Sequence, residues 1–191
     1  MNYNKSYLAG ALIGIGGFVF LSAENRVVGA ALFSLGLLAV IILECNLYTG
    51  KVGYISDKSE IGTLAIMCLH NFIGAAAVGA SAYILFRGNQ TAAALAGKKL
   101  ALPLIDVCIR AILCGVMIYL AVELYKRSKQ ILLVVMPVMI FILCGFEHCV
   151  ADVFYFAAAG EISVRAILFI VICVLGNAAG SLAVSLLMKC K

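Results

Sequence analysis

The chain has 191 residues, 65% of them hydrophobic and 12% charged, with a mean hydropathy of +1.14 and a formal net charge of +5. Soluble domains carry about 25% charged residues, so the composition excludes one and reads as an all-α, polytopic membrane protein. The positive excess lies mostly in loops, where it orients the chain, and without a soluble domain nucleic acid is not an expected partner.

A helix needs about 20 apolar residues to cross the hydrocarbon. Such runs occupy residues 7–23, 27–43, 61–86, 100–124, 131–156 and 162–188, which predicts six transmembrane helices joined by short loops, notably 54–60 and 88–97. The first run does not read as a cleaved signal peptide, because residues 1–6 carry only Lys5, no clear cleavage site follows, and hydrophobicity resumes at Val27. An even number of passes puts both termini on one side. That side collects Lys5, Lys51, Lys58, Lys126, Arg127, Lys129, Lys189 and Lys191, against Arg26, Arg87, Lys98, Lys99 and Arg165 on the other. The positive-inside rule then predicts a multi-pass protein of the plasma or inner membrane with both termini cytoplasmic.

The eight cysteines (45, 68, 108, 114, 144, 149, 173 and 190) lie in or beside apolar runs and form no CxxC pair. They read as small buried hydrophobes rather than disulfides or a metal cluster, and no cofactor is expected.

Two halves are visible. Leu69-His70-Asn71-Phe72-Ile73-Gly74-Ala75 resembles Leu175-Gly176-Asn177-Ala178-Ala179-Gly180-Ser181, and the shift of 106 residues also sets Asn46 on Asp152 and Tyr48 on Phe154. The expected organisation is a single transmembrane domain, 1–191, made of repeats 1–90 and 91–191. Three passes per repeat force the second to insert upside down relative to the first, a 3+3 inverted repeat. The second run of each half is interrupted. Glu44-Cys45-Asn46-Leu47-Tyr48-Thr49-Gly50 follows the run ending at Leu43, and residues 131–143, too short to cross alone, end at Cys144-Gly145. Two broken helices in matching places predict a central pathway, since unpaired backbone at membrane depth is tolerated only inside protein or along a cavity.

Ionisable groups inside apolar runs point the same way, because each costs about 2.5–3.5 kcal/mol at the centre of a bilayer helix by insertion scales. His148 on such a segment reads either as a satisfied core histidine or as a functional group, and adjacency to Glu147 and to the break favours the second. Glu147 points about 100° away from it on a helix and reads as a brace for the break or for a neighbouring subunit. Asp152, four residues on, shares the face of His148 and is expected to pair with it. Asn71 and Asn177 read as caps or bridges of the broken helices, since buried amides must find partners. His70 reads as packing or a helix–helix hydrogen bond, and Glu44 and Arg110 as structural.

These residues resemble the formate/nitrite transporter family, which includes hydrosulfide channels. The likeness rests on Phe33-Ser34-Leu35-Gly36-Leu37, Leu47-Tyr48-Thr49-Gly50, Ile112-Leu113-Cys114 with Leu120-Ala121-Val122, Gly145-Phe146-Glu147-His148 through Phe154, and Gly176-Asn177 with Gly180. It implies an aquaporin-like protomer, a homopentamer with a pore through each protomer, and passage of small monovalent anions or their conjugate acids. By the same resemblance His148 is the pore histidine and Thr49 its hydrogen-bonding partner. Leu37, Leu47 and Tyr48 form the cytoplasmic constriction, Phe33 and Phe141 the periplasmic one, and Lys99 lends the periplasmic mouth positive potential. Three residues depart from the family pattern: Tyr48 for Phe, Asp152 for Asn, and Gly115 for Asn. Tyr48 adds a hydroxyl to an apolar gate, so Tyr48→Phe is expected to narrow the range of anions.

The resulting expectation is a channel or transporter, not an enzyme, in which an anion takes a proton at His148 or from water ordered there and crosses as the neutral acid. A neutral-solute channel of aquaporin type is the alternative, although paired Asn-Pro-Ala signatures are absent. A membrane-embedded enzyme or metal site at Glu147, His148, Cys149 and Asp152 is the weaker one, because consecutive helical residues diverge.

Overall fold

The computed structural model describes residues 2–86, 88 and 90–189; Arg87, Cys190 and Lys191, which entered the charge and cysteine readings, lie outside the described residues. Every element among the described residues is helical. They are α1 (Tyr3–Ser22), α2 (Arg26–Ile42), α3 (Tyr48–Lys51) leading into a 3-10 turn (Val52–Tyr54), α4 (Glu60–Leu85), α5 (Gln90–Leu100), α6 (Leu104–Ser128), α7 (Leu132–Leu143), α8 (Cys149–Ala159) and α9 (Val164–Lys189). Four of them, α1, α4, α6 and α9, are long and apolar enough to cross a membrane. The shorter α2, α7 and α8 are also apolar.

Local chemistry sets these boundaries. Asn2 caps α1 by accepting from Lys5 N–H, and Asn25 caps α2 by accepting from Val27 and Val28 N–H at 2.9 and 3.1 Å. Gly160 ends α8 in the left-handed conformation at φ +67°. The run 131–156 divides into α7 and α8. The segment 88–97 is not a loop: from Gln90 it is helical as α5. Its sequence, QTAAALAGKKL, is rich in alanine, leucine and lysine, which favour helix by propensity even where hydropathy is low.

α1 packs along α4, and α6 along α9, while α2 meets α7 and α4 meets α8. Both long pairings depend on glycines at close backbone approach, Gly10 and Gly74 in the first and Gly115 and Gly180 in the second. A Cβ at Gly10 would lie 1.9 Å from the Asn71 carbonyl oxygen, and a Cβ at Gly115 would lie 2.2 Å from that of Asn177. Backbone blocks both positions, so no rotamer change makes room. Gly115→Ala is expected to lower stability by about 1–3 kcal/mol or more, read as a fall in the thermal unfolding midpoint of the purified protein; an unchanged midpoint would refute the close approach. Outward faces stay apolar, with Ile84, Ile167, Leu175 and Leu187 all exposed, as lipid or a neighbouring subunit requires.

Candidate functional site

The centre of the molecule is built by two interruptions of the same form. α2 stops at Ile42, Glu44 takes φ +52°, and Cys45 N–H bonds back to Val40 O at 2.9 Å. α7 stops at Leu143, Gly145 takes φ +69°, and Phe146 N–H bonds back to Phe141 O at 2.8 Å. Each is a helix stop with a left-handed residue after the last turn. A few extended residues follow, and a new short helix begins at Tyr48 in one case and Cys149 in the other.

A buried asparagine holds each restart. Asn71 of α4 accepts from Tyr48 N–H (2.8 Å) and donates to the carbonyls of Ser6 (2.7 Å) and Asn46 (2.8 Å). Asn177 of α9 accepts from Cys149 N–H (3.0 Å) and donates to the carbonyls of Ala111 and Glu147, both at 2.8 Å. The two asparagines are 106 residues apart, but the residues they hold at the restarts are 101 apart. By these contacts Asn46 corresponds to Glu147 rather than to Asp152, and Leu47 to His148. The difference comes from the second half carrying five more residues between its interruption and its asparagine.

His148 and Thr49, at the two restarts, meet. Thr49 Oγ1 lies 2.9 Å from His148 Nε2, and His148 Nδ1 accepts from Ala151 N–H at 3.2 Å as the N-cap of α8. With Nδ1 engaged as an acceptor, the neutral ring carries its hydrogen on Nε2 and donates to Thr49. The Thr49 hydroxyl hydrogen is then free to point elsewhere. A second proton, on Nδ1, would oppose the Ala151 N–H.

One cavity reaches His148, and a second lies beside Leu47 and Gly50, the neighbours of the Thr49 turn. One, of about 450 Å³, is lined by residues that include Phe20, Arg26, Lys99, Phe141, His148 and Asp152. The other, of about 580 Å³, is lined by residues that include Leu37, Glu44, Leu47, Lys51, Val122 and Lys126. Arg26 and Glu44 bracket α2, whose 17 residues span about 25 Å, so the cavities open at opposite ends of that helix. Between them Phe33 meets Phe141 edge-on with ring centroids 5.8 Å apart, and Phe141 stacks on His148 at 5.9 Å. Phe33, Leu37 and Leu47 are each 1% exposed.

Tyr48 stands apart from both cavities. It lines a third, between α4 and α9, and its hydroxyl donates to Val174 O at 3.2 Å. On that placement Tyr48→Phe should leave relative anion permeabilities unchanged, contrary to the expectation for the gate, and cost about 1 kcal/mol for the lost hydrogen bond. Flux ratios measured beside a thermal melt check both halves of this prediction.

Lys99 ends α5 against the first cavity. Its ammonium pairs with Glu147 and lies 2.8 Å from Asp152 Oδ1, and the three side chains are 11%, 2% and 1% exposed. Glu147 therefore braces the interruption against α5, and the partner of Asp152 is Lys99 rather than His148. Two arginines that the sequence reading assigned only to topology (Arg26) and structure (Arg110) also face this cavity. Arg110 donates to Gly145 O at 2.9 Å and Arg26 to Ile142 O at 3.4 Å, so both tie down the carbonyl end of α7. A lone arginine inside the apolar run of α6 was the available signal for the first. His70 bonds to Ile66 O of its own helix and stacks on Tyr3, while Glu44 is exposed beside the second cavity.

A family model described as Formate/nitrite transporter matches residues 3–190. Formate channel FocA of Haemophilus influenzae is 30% identical over 151 residues, covering 68% of this chain and 52% of that protein. Uncharacterized transporter YrhG of Bacillus subtilis is 31% identical over 154 residues, covering 71% of this chain and 58% of that protein. The chain thus aligns with between half and three-fifths of the length of these relatives. Among solved structures, an FNT family ion channel superposes with a TM-score of 0.87 at 22% identity, covering 97% of this chain and 87% of that one. A pentameric formate channel with formate bound gives 0.80 at 21% identity, covering 97% and 93%. The same fold is therefore shared, and the match across nearly the whole sequence means that the chain belongs to the formate/nitrite transporter family.

Proposed function

We propose that this protein is a membrane pore for small monovalent anions or their conjugate acids, of the formate, nitrite or hydrosulfide class, with passage linked to a proton at His148. The observation that carries this reading is the His148–Thr49 pair between two cavities that open at opposite ends of α2. Phe33, Phe141, Leu37 and Leu47 make the space between the cavities apolar. A bare anion pays heavily for desolvation there, whereas a neutral acid does not. Arg26, Lys98 and Arg110 at the first cavity concentrate the anion; Lys99 contributes less, because two carboxylates already face its charge. The anion then meets the Thr49 hydroxyl and the imidazole, takes a proton and moves on uncharged.

The architecture proposed with it is a single transmembrane domain, 1–191, of two inverted repeats, 1–90 and 91–191. Each repeat crosses three times, the second crossing broken as α2–α3 or α7–α8, in an aquaporin-like protomer. The matching asparagine contacts support this reading. A homopentamer in the plasma or inner membrane, both termini cytoplasmic, completes it, with the pentameric neighbour as support. The proposed activity is transport rather than catalysis and needs no metal or cofactor.

The test is a stopped-flow panel of formate, acetate, nitrite, lactate and hydrosulfide on proteoliposomes across pH. Formate, nitrite or hydrosulfide flux that rises on acidification is expected. Flux of water or neutral solutes alone would instead assign a neutral-solute channel.

A further inference from the structure

Asp152 is 1% exposed and borders the first cavity; Lys99 ion-pairs with its Oδ1 at 2.8 Å, and among the described residues Oδ2 has no hydrogen-bond donor. Glu147 shares the same ammonium. The charge count does not close. One buried cation faces two buried carboxylates, and like charges so close do not both ionise when a proton is at hand.

The other groups around Asp152 do not change that count. Lys98 and Lys99 come from α5, Glu147 and His148 from the segment ahead of α8, and Tyr155 from α8 itself. Cys114 on α6 and Cys173 on α9 are free, buried cysteines. Arg26 and Arg110 at the cavity wall hydrogen-bond the carbonyls of Ile142 and Gly145, and the ion pairs of Asp152 and Glu147 among the described residues are with Lys99. His148 is a poor place to store the proton on this side, since Ala151 N–H occupies its Nδ1. Asp152, one turn further along the helix, offers Oδ2, for which the described residues supply no hydrogen-bond donor.

We propose that Asp152 holds a proton on Oδ2 and gives it to the weak-acid anion in the first cavity, ahead of His148. The inference rests on the anion-pore reading and adds to it the residue where charge is first removed from the substrate. In the step, the Oδ2–H bond breaks as an O–H or S–H bond forms on formate, nitrite or hydrosulfide. The electron pair left on Oδ2 belongs to a carboxylate that Lys99 stabilises, and hydronium from the water entering the cavity restores the proton. Asparagine at this position keeps the shape and cannot carry out the step.

Infrared spectroscopy of the intact protein in lipid is the direct test. Wild type at neutral pH should show the C=O stretch of a protonated buried carboxyl, bleached by formate and absent in Asp152→Asn. In proteoliposomes Asp152→Asn should lower formate flux at neutral pH by about 100-fold, as the loss of a positioned proton donor does, and flatten its rise on acidification. A wild-type spectrum without the band, or an Asp152→Asn pH profile that superposes on wild type, overturns the proposal. Should the variant fail to assemble, the wild-type band and its response to formate decide alone. Wild-type vesicles that pass no anion sink the pore reading, whereas conducting vesicles without the band sink only this inference.

Discussion

Replacing His148 with alanine is expected to lower formate, nitrite and hydrosulfide flux by about 100-fold and to remove its pH dependence, the usual scale for losing a positioned proton-transfer group. The change strips Thr49 Oγ1 of its partner, uncaps Ala151 N–H and empties the space against Phe141. Loss of the cap alone costs about 1 kcal/mol, so a melt must accompany the flux assay. His148→Gln separates the two effects. A glutamine amide can donate to Thr49 and accept from Ala151, but it takes up no proton near neutral pH. Its expected behaviour is near-normal stability with the pH response still missing. A glutamine variant with the wild-type pH profile would remove the imidazole from the proton path.

The largest structural effect is expected at Asn177. In Asn177→Asp the acceptor for Cys149 N–H survives, but a carboxylate oxygen replaces the amide nitrogen that donates to Ala111 and Glu147. Two carbonyls then face an unpaired buried charge, a fault that costs about 3–5 kcal/mol. Size-exclusion chromatography and thermal unfolding should show little folded material. Asn71→Asp is expected to fail in the same way, because it holds Ser6, Asn46 and Tyr48 through the same three bonds. A folded Asn177→Asp protein with an unshifted midpoint would mean that the amide is dispensable.

Hydropathy was enough to locate the long helices, because a bilayer imposes a length that composition alone must meet. The same measure missed α5, whose alanine-rich sequence is helical by propensity while only moderately apolar. The residues around Glu147 and His148 were conspicuous because lipid depth makes every ionisable group an exception. Their partners were not. Lys99 is 48 residues from Glu147, and nothing local says that a helix end will return it to Asp152. The need of a buried amide for partners marked Asn71 and Asn177, but the carbonyls they select depend on where the chain re-enters. The uniform shift of 106 therefore failed at the interruptions, where the second half carries extra residues. The hydroxyl of Tyr48 was read toward the pore because the chain reveals which ring is present and not which way it turns.

The corresponding places of Leu47 and His148 carry one last consequence. The inverted repeat proposed above would, if its side chains matched, serve traffic equally from either end. Here one copy of the clasp presents an aliphatic stub and the other an imidazole, and the lysine–carboxylate cluster stands on the imidazole side only. A solute arriving from that side meets acid–base chemistry first and the greasy sieve second; from the far side the order is inverted. If the proposed pore carries solute, unequal rates in the two directions under equal and opposite gradients are the expected result.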